Sequence, residues 1–251
     1  MAPRLKTVVY VLAHFDDEYC GLPLIDEARA AGQDQLFLYV VDYPSAANRA
    51  ARHAESRQFL SWLGVEPDRV LHLGETSGAP DGGLHRALST AYAALQTALK
   101  GLEVERIVCP AWEGGHMDHD MCCLLASETA AARGVPVEMI SLYNGRGLPA
   151  PLFHGGRPLT ENGPVRRLGV SAGGLIRWMA AVRFFILQRA WLGLWPTMFW
   201  TYWTRGFGVQ TLDPRRIRER PHEGVLLYER MFGVPYEEVR AAADRFLSRR
   251  S

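Results

Sequence analysis

The stretch Thr7-Val8-Val9-Tyr10-Val11-Leu12-Ala13-His14-Phe15-Asp16-Asp17-Glu18 constrains this chain more than any other. It opens as an apolar run rich in β-branched residues, which is the composition of a buried strand. It then breaks, within a few residues, into one imidazole and three carboxylates. Such a break is a poor way to continue a core. It is a good way to place ligands at the carboxyl edge of a parallel sheet, where open α/β folds keep their sites. A second burst, Glu113-Gly114-Gly115-His116-Met117-Asp118-His119-Asp120, follows the apolar run Arg106-Ile107-Val108-Cys109-Pro110-Ala111. The repeated pattern predicts that the two bursts meet in space and hold a metal.

The elements between them alternate. Helices are expected over Leu22–Ala31, Ser45–Leu63 (with Ser45 as N-cap), Leu84–Leu99 and Met117–Arg133, with Gly32, Gly64 and Gly134 as stops. Strands are expected over Leu36–Val41, Val70–Leu73, Arg106–Ala111 and Val135–Tyr143, with turns from Gly74 to Gly83. This order predicts an α/β, Rossmann-like, mostly parallel sheet with helices on both faces. Beyond Tyr143 the alternation fails. Gly145–Gly174 is rich in Gly and Pro and reads as a long surface excursion. A helical run, Leu175–Leu194, then leads into the aromatic cluster Trp195–Trp203, and a last helix covers Tyr236–Leu247. Arg177, Arg183 and Arg189 interrupt the helical run about 240° apart, so they share no polar face. The chain reads as one domain over 1–251, with a core at 1–145 and a helical, aromatic-rich C-terminal extension at 146–251.

At 251 residues, with 48% hydrophobic and 22% charged residues, one sizeable core is within reach. A net charge of +1 gives no reason to expect nucleic acid. The basic residues Arg215, Arg216, Arg218, Arg220 and Arg245–Arg250 read as a solvated face. Cys20, Cys109, Cys122 and Cys123 lack metal-ribbon spacing and read as free thiols of a reducing, cytoplasmic compartment. Arg4 and Lys6 precede an apolar run too short, and too quickly acidic, for a signal peptide. No stretch reads as a bilayer span.

Hydrolysis of an amide near neutral pH needs a strong nucleophile and a stabiliser for the oxyanion. A zinc ion with three protein ligands and an open position meets both needs. His14 and Asp17 can converge on one ion, and His119 completes the set. Asp16 is then unliganded but adjacent, placed to take a proton from water and hand it to the leaving amine. His116, held protonated by Asp118, faces the oxyanion. Gly114 and Gly115 let the backbone pass close to substrate. Iron(II) also suits a two-histidine, one-carboxylate set.

Ala13-His14-Phe15-Asp16-Asp17-Glu18 and Gly114-Gly115-His116-Met117-Asp118-His119 resemble the paired motifs of the PIG-L/LmbE-like family of zinc-dependent N-acetylglucosamine deacetylases. The resemblance implies a Rossmann-like fold and removal of acetyl from N-acetylglucosamine units on inositol, malate or other aglycones. It places His14, Asp17 and His119 as zinc ligands, Asp16 as general base and His116 as the oxyanion-stabilising histidine. Arg52-His53-Ala54-Glu55 is similar to the family's Arg-x-x-Glu helix, and Asp81-Gly82-Gly83-Leu84 to its Asp-Gly loop. Arg52 and Asp81 are thereby implied as sugar contacts. The similarity covers about the first 145 residues. Phe15 and Met117 replace both motif prolines, which points to an unusual substrate. Later, Tyr228-Glu229-Arg230-Met231-Phe232 is similar to a terminal Glu-x-x-Phe pattern.

Other readings stand beside these. Arg52 and Glu55 are spaced for a surface ion pair as well as for a sugar contact. Glu18 suits a structural hydrogen bond. His53, His72, His85, His154 and His222 have no partner at ligand spacing, though His222 comes late enough to approach the site. The Trp195–Trp203 cluster fits core or a homo-oligomer interface, with a platform for a lipid-linked or aryl-bearing substrate, or a membrane surface, as the minority reading. Rival activities are hydrolysis of another N-acyl or carbamoyl amide, and a non-catalytic metal-binding protein. Nucleotide binding is disfavoured, because no Gly-rich phosphate loop follows the first strand.

Overall fold

Every residue of Thr7-Val8-Val9-Tyr10-Val11-Leu12 is buried, and this strand, β1 (Thr7–Leu12), is the centre of the fold. The computed structural model describes residues 6–149, 151–187 and 191–250. From β1 the chain runs through helix α1 (Asp17–Cys20), α2 (Leu22–Ala30), β2 (Asp34–Tyr39) and α3 (Ala46–Trp62). Then come β3 (Val70–His72), α4 (Gly74–Ser77), α5 (Leu88–Ala98), β4 (Val104–Pro110), α6 (Met117–Arg133) and β5 (Val137–Ile140). The remainder holds β6 (Tyr143–Asn144), β7 (His154–Gly155), β8 (Arg166–Leu168), α7 (Ala172–Ala181), α8 (Trp191–Arg205), β9 (Phe207–Thr211), α9 (Leu227–Phe232) and α10 (Tyr236–Ser248).

Seven strands form one sheet in the order β3-β2-β1-β4-β5-β9-β8. Neighbours from β3 to β5 are parallel, while β9 and β8 join antiparallel. Successive side chains of β1 point to opposite faces. Val9 and Val11 enter one buried cluster with residues of α5, α6 and α10. Val8, Tyr10 and Leu12 enter another with residues of α2, α3, α7 and α8. Helices therefore cover both faces, as the near-continuous apolar strands require. Each large side chain buried this way stabilises the fold by about 1.5–3 kcal/mol. The chain steps outward from β1 to β3, then returns to the other side of β1 with β4. That reversal opens a crevice at the carboxyl ends of β1 and β4. Both ionisable bursts leave the sheet there.

The first half agrees closely with the sequence reading, including α6 and the Ser45 cap, whose hydroxyl accepts from the Asn48 N–H at 3.3 Å. Several expectations are corrected. The helix expected over Leu84–Leu99 is a short 3-10 turn, Leu84–Arg86, followed by α5. The fifth strand ends at Ile140, and Tyr143 pairs instead in a separate β6–β7 ladder. The supposed excursion from 145 to 174 contributes β7, β8 and the start of α7. The helical run breaks after Ala181, and a second helix, α8, takes in the whole aromatic cluster. Arg189 of that run, like Arg4, lies outside the described residues. Among the described residues no helix is long and apolar enough to cross a membrane.

Candidate metal centre

The turn after β1 is closed by a side chain. The N–H groups of Ala13 and His14 both donate to Asp17 Oδ2, at 3.0 and 2.9 Å. One carboxylate oxygen is thus consumed in holding the turn, and the other, Oδ1, is turned toward His119 Nε2 at 3.1 Å. His119 lies in the first turn of α6, and its Nε2 stands 3.2 Å from His14 Nδ1. Zinc bound tetrahedrally to such donors at ~2.0–2.1 Å sets neighbouring ligand atoms about 3.3 Å apart. The three groups therefore fit a divalent cation. His14 also belongs to a second acidic cluster with Asp81, His116 and Asp118. There the donors are already committed. Asp118 Oδ2 and Oδ1 accept from the N–H groups of Gly82 and Leu84, at 2.7 and 2.9 Å. The first set is the better seat for an ion.

The expectation that the Asp118 carboxylate holds His116 is corrected. Asp118 Oδ2 is 3.3 Å from His14 Nε2 and 3.9 Å from His116 Nδ1. The carboxylate orients a metal-facing imidazole through its far nitrogen, a common arrangement at metal sites. Asp81 Oδ1 approaches the same nitrogen at 3.2 Å. Burial opposes a charge on His14, but Asp118, Asp81 and Asp17 outweigh it and push the imidazole well above its ordinary value. Burial likewise opposes ionisation of Asp17, yet His119 and His14 hold its carboxyl at about 2.

His116 caps α6: its Nδ1 accepts the Asp118 N–H at 3.2 Å. The proton of the neutral ring is then on Nε2. Burial, reinforced by the positive charge of His14, lowers this histidine to about 3. It is a neutral N–H donor, not the protonated imidazole expected from the sequence.

Asp16 is the one non-glycine residue at positive φ among the described residues, at 113°. That conformation is strained for a side-chain-bearing residue and persists only where the surroundings enforce it. Here the Asp16 N–H donates to Glu18 Oε2 at 3.0 Å, and its carbonyl accepts from the Tyr19 N–H at 3.0 Å. The Trp191 indole N–H donates to Asp16 Oδ2 at 3.1 Å. Burial and the neighbouring Asp17 push the Asp16 carboxyl well above its usual range, with Arg52 opposing.

The second burst is pinned from below. Glu113 is buried and accepts from Ser141 Oγ (2.6 Å), the N–H groups of Leu142 (2.7 Å) and Tyr143 (2.9 Å), and Asn144 Nδ2 (3.2 Å). Asp120 Oδ1 accepts from the N–H groups of Glu113 and Gly114, at 3.0 and 3.1 Å. Gly114 sits at φ 68°, and a Cβ on Gly115 would collide with the carbonyl oxygen of Tyr143. Gly115 thus admits the Tyr143 backbone, and Gly114 combines its positive φ with a close approach of the Leu226 side chain.

A cleft of about 240 Å³ joins these groups. Arg52 and Asp81 line it as the sequence places them, and Tyr143, Trp191, Leu194 and Phe232 close it. None of those four was singled out as a site residue. Only Phe232 carried a signal, as the end of the Tyr228–Phe232 pattern. Its ring meets His116 edge-on, 4.8 Å between centroids. Arg52 lies over the Tyr43 ring at 4.7 Å, and Glu55 accepts from the Leu187 N–H at 2.9 Å, so the pair considered between them is not made. His53, His72, His85, His154 and His222 do not line the cleft. His222 Nδ1 lies 2.7 Å from the Glu223 carbonyl. All four cysteines are free and buried.

Residues 9–130 match the family described as PIG-L: GlcNAc-PI de-N-acetylase. No curated protein matches the chain. Among solved structures, a triple mutant of a deacetylase of the teicoplanin biosynthetic pathway superposes with a TM-score of 0.62. It is 18% identical, over 82% of this chain and 96% of that one. The N,N'-diacetylchitobiose deacetylase of Pyrococcus horikoshii gives 0.55 at 13% identity, over 84% and 85%. GalB, the 4-carboxy-2-hydroxymuconate hydratase of Pseudomonas putida KT2440, gives 0.53 at 15% identity, over 83% and 95%. At such identities the likeness is one of fold, and the fold carries more than one reaction.

Proposed function

The chain belongs to the PIG-L/LmbE-like deacetylase family, and from that premise we propose that it removes the acetyl group from an N-acetylated amino sugar, an N-acetylglucosaminyl conjugate. One observation carries the reading. His119 Nε2 stands 3.2 Å from His14 Nδ1 and 3.1 Å from Asp17 Oδ1, and this cluster of three lies beside an unliganded carboxylate, Asp16, and a neutral N–H donor, His116. His14, Asp17 and His119 would hold the cation, zinc by preference and iron(II) as the alternative, and when bound it lowers the pKa of water and polarises a carbonyl oxygen.

The other residues act around that centre. Asp16, which lines the cleft and accepts the Trp191 indole N–H at Oδ2, takes a proton as the water oxygen attacks the acetyl carbon. His116 Nε2–H donates to the oxygen that gains charge. When the carbon–nitrogen bond breaks, Asp16 returns the proton to the departing amine, and acetate remains. Asp118 keeps His14 oriented. Arg52 and Asp81 are placed to meet sugar hydroxyls. The segment from 146 onward serves the substrate side, since α8 and α9 supply Trp191, Leu194 and Phe232 to the cleft. Four buried free thiols suit a cytoplasmic setting.

The test is a panel of N-acetylglucosamine conjugates, longer N-acyl analogues and carbamates, incubated with metal-loaded protein while free amine and released acid are measured. Preferred release of acetate from the acetamido sugars is expected. Preferred release of a longer acid or of carbamate would reassign the substrate. No release from any member would reject a hydrolase.

A further inference from the structure

We propose that the outward face of α8, with Arg183 and Ile186 beside it, docks on an anionic membrane surface. Helix α8 carries no charged residue until its last position, Arg205. Trp191, Met198, Thr201 and Tyr202 are its buried side, so the opposite side of such a helix should be polar. Instead it presents Leu192 at 82% exposure, Trp200 at 67% and Trp203 at 64%. Pro196 is also exposed, and positions 192, 196, 200 and 203 recur at helical spacing. Ile186, at 79%, extends the patch, because Ile186, Arg183 and Leu192 share one shallow cavity. Trp203 is held by stacking. Stacked rings run from the core outward as Trp178–Trp195, Trp195–Phe199 and Phe199–Trp203, with centroids 6.2, 5.8 and 6.3 Å apart.

Charge chooses the occupant. Arg183 flanks the patch beside Ile186, and Arg205 and Arg167 flank its other end. All three are exposed, and among the described residues no carboxylate pairs with them. A second copy of the chain would bring this patch against itself across a two-fold axis. The unpaired guanidinium groups would then join the apolar stripe in a self-facing interface, with no acid to answer them. An anionic bilayer answers both features. Tryptophan rings suit the headgroup level, leucine and isoleucine the acyl boundary, and arginines the lipid phosphates. Trp191 and Leu194 of the same helix line the catalytic cleft, so docking here would set the cleft beside the membrane.

The test is co-sedimentation of the full chain with vesicles of phosphatidylcholine, with and without phosphatidylserine. We expect pelleting with the mixed vesicles and weaker pelleting with phosphatidylcholine alone. The double variant Trp200→Ser/Trp203→Ser should lower partitioning by roughly tenfold or more at unchanged melting temperature. Arg167→Glu/Arg205→Glu should abolish the preference for phosphatidylserine. A wild-type chain that stays in the supernatant with mixed vesicles would overturn the proposal, as would variants that pellet like wild type. So would a wild-type dimer that becomes monomeric in the tryptophan variant, because the face would then belong to a second copy.

Discussion

Trp191 reaches across 175 positions to donate its indole N–H to Asp16 Oδ2 at 3.1 Å. The C-terminal segment thereby grips the carboxylate assigned as the base. If the bond fixes which Asp16 oxygen faces the water, Trp191→Phe, which keeps an apolar ring, should lower kcat by about tenfold with KM nearly unchanged, the size of one hydrogen bond to a charged group. The cycle with Asp16→Asn decides the route. In the Asp16→Asn background the second substitution should cost little, since residues acting through one another are not additive. Equal losses in both backgrounds would assign Trp191 to packing alone.

Asp16→Asn itself should leave metal content and melting temperature near wild type while turnover falls by roughly 10²–10⁴-fold, the range of general-base contributions. Relief of the positive φ is not expected, because asparagine tolerates that region too. Full turnover in this variant would remove Asp16 from the mechanism. His116→Ala should lower kcat through a different route, the loss of a donor to the oxyanion, by about 10²-fold or more. It also deletes the cap of α6, so its melting curve must be measured alongside.

The sequence made the centre legible and left its surroundings unreadable, for physical reasons. β1, α3, β4 and α6 announce themselves through period, caps and stops, so the two ends that carry His14, Asp17 and His119 follow from local chemistry. Which carboxylate serves which imidazole does not, since Asp118 chooses His14 over His116 by the path of the Gly82–Leu84 backbone. β9 escaped notice because Phe207-Gly208-Val209-Gln210-Thr211 is short and holds a glycine, and its strand state depends on pairing with β5. α8 escaped because Pro196 lies inside it and its aromatic residues leave no polar period to detect. The Trp191–Asp16 bond has no sequence signature at all.

Metal dependence should be separable from fold. His14→Ala, Asp17→Ala and His119→Ala each remove one of three donors and should lower bound metal per chain, measured by elemental analysis after gel filtration. Asp17→Ala should also lower stability, because the N–H groups of Ala13 and His14 lose their acceptor. Chelation of the wild type should abolish amide hydrolysis and lower the melting temperature, and added zinc should restore both. Restoration by iron(II) and not by zinc would reassign the ion. A wild-type metal content in all three variants would sink the assigned ligand set.

Stability should fall as pH rises, and Asp120 should be a main reason. Its carboxyl is fully buried, with Oδ1 accepting two backbone N–H groups and Oδ2 unpartnered. Burial pushes it up to about 8, with the nearby Glu113 adding to the shift. A carboxyl whose folded value lies above its unfolded one keeps its proton in the native state after the unfolded chain has lost it. Its contribution is therefore full below the unfolded value near 4, declines as pH climbs, and levels off above about 8. Glu18, raised by burial to about 7, adds a slope of the same sign that levels off sooner. Asp120→Asn mimics the protonated form: its oxygen still accepts both N–H groups, and an amide replaces the unpartnered oxygen. Melting temperatures of wild type and variant should then converge near pH 5 and separate by pH 9, with the variant the more stable. A variant that melts below wild type at pH 9 would mean that the charged carboxylate is the form the loop is built around.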